Sequence, residues 1–201
     1  MSDSTASSAF IGVHRRLRVS TFYAALLLAA AGNATAADWR MDAAGSRLEF
    51  AATFEKTPAP GVFKEFDTRL AFDPDQPAGS RLDVTIKVPS ADMANADINK
   101  AIAGPEWFDF TRHPQATFHA TDFSRTGSGR YLAKGTLTLK GTQRPVEVPF
   151  TWNAIADSAT MEGELTVQRS AFNIGTGEWI ATNVIGPDVK IRFRVRLRKT
   201  G

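Results

Sequence analysis

Residues 188–199 read DVKIRFRVRLRK. Val189, Ile191, Phe193, Val195 and Leu197 alternate with Lys190, Arg192, Arg194, Arg196 and Arg198, a period of two that sends one set to each face of a β-strand. The apolar row must be buried and the basic row wetted. Working back from this strand to Arg47, the same period recurs in seven more runs: RLEFAATF, VFKEFDTRLAF, RLDVTIKV, ATFHATDF, RYLAKGTLTL, VEVPFTW and MEGELTVQ. Turn residues separate them, among them Asp73-Pro74-Asp75, Thr126-Gly127-Ser128-Gly129 and Lys140-Gly141-Thr142. Eight antiparallel strands with one apolar face each must stack as two sheets or close into a barrel, and closure removes the exposed edges. Pro149 has no N–H to give to a ladder, so the VEVPFTW strand should contain a bulge or a break in pairing there. A single short helix is predicted in the connection between Pro89 and Pro105, capped by Asp97, carrying Ile98 and Ile102 on one face and stopped by Gly104-Pro105.

The first 36 residues stand apart. His14-Arg15-Arg16-Leu17-Arg18 is a basic start, Thr21 to Ala31 is apolar, and Ala34-Thr35-Ala36 has the small-x-small form of a signal-peptidase site. The apolar run is about half the ~20 residues a membrane-spanning helix needs, so a cleaved secretory leader is the reading adopted, with cleavage near Ala36/Ala37 and a periplasmic mature chain from residue 37 to 201. The export route, general or twin-arginine, stays open. The leader removes Arg15, Arg16, Arg18 and Asp3, which brings the net charge from +3 to +1. So nearly neutral a chain does not point to nucleic acid as a partner.

The chemistry of catalysis is sparse. With no cysteine there is no disulfide, thiolate nucleophile or thiolate metal site. Only His113 and His119 remain after the leader, too few for a metal centre that ordinarily takes three protein ligands, and no cofactor is implied. Gly175-Thr176-Gly177 lacks the following helix of a phosphate loop, and Gly127-Ser128-Gly129 reads as a hairpin tip. Arg169 ends the apolar row Met161, Gly163, Leu165, Val167 and is open to two readings: a donor to a ligand head group, or a partner of Glu178 or Asp188. Trp107, Phe108, Phe110, Phe172 and Trp179 gather near loops and strand ends, where aromatics either plug a barrel or wall its mouth.

GVFKEFDTRLAFDPD, GPEWFDFTRHPQATFHATDF, YLAKGTLTLKGTQRPVEVPFTW, and ELTVQRSAFNIGTGEW with IGPDVKIRFRV occur in an order that resembles the YceI family, over nearly all of residues 38–198. The segment SADMANADINKAIAGPEW departs from the usual family pattern. The resemblance implies an all-β, antiparallel eight-stranded lipocalin-like barrel with a long apolar tunnel, exported to the periplasm, that binds an isoprenoid lipid of polyprenyl or quinone type and is not an enzyme. On that basis Phe50, Phe118, Leu137, Phe150, Leu165, Phe172, Trp179 and Phe193 are assigned to the tunnel, and Trp107, Phe108, Phe110 and Arg169 to its mouth or head-group end. Transient contact with a membrane or a membrane cytochrome, and a homodimer, are the further partners it admits. Two rivals remain: a solid barrel serving as a stress-response or partner-binding module, and an enzyme using His119 as base on a hydrophobic substrate.

Overall fold

The computed structural model describes residues 36–200. The closing strand pairs on both sides. It is the last of ten among the described residues: β1 (Ala37–Phe54), β2 (Thr57–Phe63), β3 (Phe66–Phe72), β4 (Arg81–Lys87), β5 (Ala91–Asp92), β6 (Gln115–Gly127), β7 (Arg130–Leu139), β8 (Thr142–Ile155), β9 (Ser158–Gln168) and β10 (Asp188–Lys199). The sheet runs β10-β9-β8-β7-β6-β4-β3-β1, and β1 pairs back onto β10, so eight antiparallel strands form a closed barrel. β2 and β5 extend the upper half of β1 as a side flap.

Closure is written in side-chain register. Met41 lies opposite Leu197, Leu48 opposite Phe193 and Phe50 opposite Ile191, apolar facing apolar across the seam. The inward residues change from odd to even because Ala43, Ala44, Gly45 and Ser46 form a bulge between Asp42 and Arg47. Ser46 Oγ fastens it by donating to the Asp42 carbonyl at 2.7 Å and accepting the Arg196 N–H at 3.0 Å. Gly45 leaves room there for the Arg196 side chain, which a Cβ would meet 2.0 Å from Cδ and push aside. These small residues carry no strand pattern, which is why the sequence reading began the first strand at Arg47 rather than Ala37.

Three other expectations are refined. The VFKEFDTRLAF run is two strands, because the N–H groups of Lys64 and Glu65 donate to the Ser90 carbonyl and to Ser90 Oγ instead of continuing a ladder. The helix, α1 (Ala96–Ile102), is capped by Asn95 rather than Asp97: Asn95 Oδ1 accepts the N–H groups of Asp97 and Ile98, both at 3.0 Å. Asp97 instead sits in the first turn, where a negative charge suits the helix dipole. At Pro149 the ladder breaks on one side only. β8 pairs with β7 without a shift, but its pairing with β9 begins at Phe150 opposite Gly163, and the residues before it have no β9 partner.

The arginine face of β10 is paired rather than bare. Glu164 holds Arg192 at 2.7 Å and Lys190 at 3.2 Å, Glu162 holds Arg194 at 3.1 Å, and Asp42 holds Arg198 at 3.2 Å. These pairs are solvent-exposed, so Arg194→Gln should shift stability by less than about 1 kcal/mol, measured by urea denaturation.

Candidate functional site

The barrel interior is divided. Toward one end Phe72 is fully buried among Phe123, Tyr131, Phe150 and Trp152, with ring centroids 5.0–6.0 Å from its own. Trp39 meets Trp152 edge-on at 5.1 Å and closes this packed half. Toward the other end the strands do not fill the space between them, and a cavity of about 360 Å³ remains, at the small end of the ~300–1,000 Å³ usual for ligand pockets.

The strands supply Phe50, Ala52, Phe63, Val167, Val189 and Ile191 to its wall. α1 supplies Ile98, Ala101 and Ile102; the segment after β9 supplies Phe172, Ile174, Trp179 and Ile185. Trp107 and Trp179 face each other at 5.6 Å, and Phe108 lies 6.4 Å from Phe50 and 6.1 Å from Phe63. Of the residues assigned from sequence, Phe50, Phe172, Trp179, Trp107, Phe108 and Arg169 line this cavity. Phe118, Leu137, Phe150 and Phe193 are instead part of the continuous packed core, Leu165 packs on that core, and Phe110 stacks on Phe108 at 6.2 Å. Val189 and Ile191 are read from sequence as inward residues of the closing strand but not as cavity wall, and Ala59 and Met93 are not singled out, because small or ordinary aliphatic residues carry no signal that separates a cavity wall from a core.

Arg169 is placed by neither of its two sequence readings. It is only 3 % exposed, yet its partners are six backbone carbonyls. Nε donates to Gly186 at 3.1 Å, Nη1 to Ile174 and Gly175 at 3.1 and 2.9 Å, and Nη2 to Trp179, Ala181 and Ile185 at 2.7, 3.3 and 3.0 Å. Five N–H groups are thus spent on one segment of chain, and neither Glu178 nor Asp188 pairs with it. Burial alone holds the guanidinium below its ordinary pKa. Gly175, at φ +72, makes the approach possible: a Cβ there would lie 2.2 Å from Arg169 Nη1. Two more cations hold the same segment by carbonyls, Lys140 Nζ donating to Asn173 at 2.6 Å and to Pro105 at 2.7 Å, and Arg144 Nε to Ala171 at 3.2 Å.

Asp92 positions the helical wall. Its carboxylate pairs with Lys64 and accepts from Asn99 Nδ2 at 2.8 Å and the Ala94 N–H at 2.9 Å, contacts that hold its pKa well below the usual carboxylate value. A depressed pKa stabilises the fold above the ordinary Asp pKa, and that contribution is lost as pH falls. The amide of Ala94 should therefore keep its exchange protection as pH falls through the ordinary Asp pKa of about 4 and lose it only at still lower pH, and Asp92→Asn should reproduce the loss at neutral pH.

His113 and His119 lie elsewhere. His119 Nδ1 meets Asp83 Oδ1 at 2.6 Å on the outer surface, and His113 lies beside the β7–β8 turn at Gly141. Among the described residues there is no group of three His, Asp or Glu side chains placed to hold a metal.

The family model for the YceI-like domain matches residues 39–197. The Shigella flexneri protein YceI is 30% identical over 161 residues, covering 76% of this chain and 84% of its own. Among solved structures, Burkholderia cenocepacia BcnA is 36% identical with a TM-score of 0.76, covering 78% of this chain and 98% of that one. A polyisoprenoid binding domain from Saccharophagus degradans, implicated in plant cell wall breakdown, shares the fold at 16% identity and a TM-score of 0.66, covering 81% of this chain and 98% of that one. The chain belongs to the YceI-like domain family.

Proposed function

We propose that this protein is a periplasmic binding and carrier protein for an isoprenoid lipid, polyprenyl or quinone-type, rather than an enzyme. The observation that carries the reading is the apolar cavity at the Trp107–Trp179 end, whose single charged wall residue among the described residues, Arg169, has its donors occupied by carbonyls. Such a wall offers a hydrocarbon tail burial at about 0.8 kcal/mol per methylene, and its described residues include no carboxylate, imidazole, amine or thiol. The polyisoprenoid-binding relative of the same fold supports the choice of ligand. At about 360 Å³ the cavity takes part of a long chain, so the rest of a polyprenyl tail extends through the mouth.

Filling the cavity tests this without emptying the core. Val189 lines the cavity on β10, and Val189→Trp should leave the melting temperature unchanged or raised while weakening farnesol binding about tenfold or more. Unchanged farnesol affinity in a folded Val189→Trp protein would move the site elsewhere. Export is part of the proposal: periplasmic material should begin at Ala37, and N-terminal sequencing that returns Met1 would contradict it.

A further inference from the structure

Five large apolar side chains stand exposed among the described residues: Phe54, Ile98, Ile155, Ile180 and Val184. Ile155 is alone on the β8–β9 turn, at the end of the barrel where Ser158 pairs with Arg198. The other four surround the cavity mouth at the opposite end. Phe54 and Ile98 are cavity walls that are also 46 % and 41 % exposed, which marks where the cavity meets solvent. Phe54 bridges Ile185, and the Glu55 N–H donates to the Val184 carbonyl at 2.7 Å, so the β1–β2 turn and the 180s segment form one rim. Ile180, 67 % exposed, follows the cavity-lining Trp179 directly.

We infer that this rim of Phe54, Ile98, Ile180 and Val184 is a docking surface for a lipid bilayer with uncharged or zwitterionic head groups, over which the cavity exchanges its ligand. The inference rests on the lipid-binding reading above and adds the surface that serves it. Area decides between a bilayer and a second copy of the chain. Four partly exposed side chains bury on the order of a few hundred Å², well short of the ~800 Å² per partner of a standard dimer interface. A bilayer needs no such area for a brief encounter, and Trp107 and Trp179 at the mouth are residues suited to the head-group boundary. Charge decides the kind of lipid. The exposed charged residues on the rim segments are Glu55, Lys56, Asp97, Lys100 and Glu178, three acidic and two basic, so the surface has no cationic cluster with which to select anionic lipid.

The test is flotation with phosphatidylcholine vesicles, run beside farnesol binding in vesicle-free solution. The wild-type protein should float, and 0.5 M salt should leave that fraction unchanged, since burial and not charge attraction drives it. Ile180→Glu should reduce flotation by roughly tenfold while leaving farnesol affinity intact, and Ile155→Glu, at the far end, should alter neither. Absence of flotation, equal losses from Ile180→Glu and Ile155→Glu, or a concentration-dependent dimer dispersed by Ile180→Glu without vesicle binding would each overturn the inference. Flotation with no farnesol binding would instead overturn the cavity reading and leave the rim standing.

Discussion

Phe72→Ala lowers the stability of the barrel by about 3–5 kcal/mol, a fall of roughly 10 °C in melting temperature for a domain of this size. Phe72 has no exposed surface and four aromatic neighbours, Phe123, Tyr131, Phe150 and Trp152, held by strands on several sides. Strands locked into a closed ladder cannot collapse onto the missing ring, so the cavity stays and its cost is near the upper end for such truncations. Phe72 is not a wall of the ligand cavity, and the folded fraction should bind farnesol with near wild-type affinity. Calorimetry and ligand titration on one preparation separate the two effects. Phe193→Ala belongs with this class: its ring is in the packed core, 2.5 Å from where a Cβ on Gly163 would lie, and its loss should lower stability more than affinity.

Arg169→Met loosens the segment that closes the cavity. The substitution keeps an apolar stem of similar length but removes all five donors, leaving six carbonyls of residues 174–186 without their cation. Each carbonyl left buried and unpaired costs about 1–3 kcal/mol, so the segment opens to water rather than hold its shape. The expected result is a global destabilisation of about 3 kcal/mol or more, with early loss of exchange protection at Gly175 and Thr176, whose N–H groups donate to the Glu106 carbonyl at 2.8 and 3.0 Å. Farnesol affinity should fall as Trp179 and Ile185 leave the wall. Arg169→Lys preserves the charge but not the planar fork, and its effect should lie between wild type and Arg169→Met. Wild-type protection in both variants would show that the carbonyl contacts do not hold the segment.

The closed barrel was legible because alternation is a strong code. The apolar row of the 188–199 strand does face inward, with Lys190, Arg192 and Arg194 outside against Glu162 and Glu164. Alternation tells inside from outside but not whether the inside is full. Phe50 and Phe150 look alike in sequence, yet one lines a cavity and the other packs at 5.7 Å against Phe72, because filling depends on what strands distant in sequence bring to the same layer. Arg169 was legible as a residue of consequence, and its partners were not. Side-chain complementarity directs a search to carboxylates, whereas backbone carbonyls are supplied by every residue and leave no trace in the amino-acid string. Met93 and the alanine wall residues escaped for a related reason, since nothing local distinguishes a small residue beside a void from one in a tight core.

Native mass spectrometry of the protein isolated from its own periplasm, with solvent extraction and mass analysis of whatever is released, addresses the central claim most directly. The account predicts one isoprenoid lipid per chain in wild type and an apo mass for Val189→Trp. A uniformly apo wild-type protein, or a bound lipid without isoprene units, would contradict it.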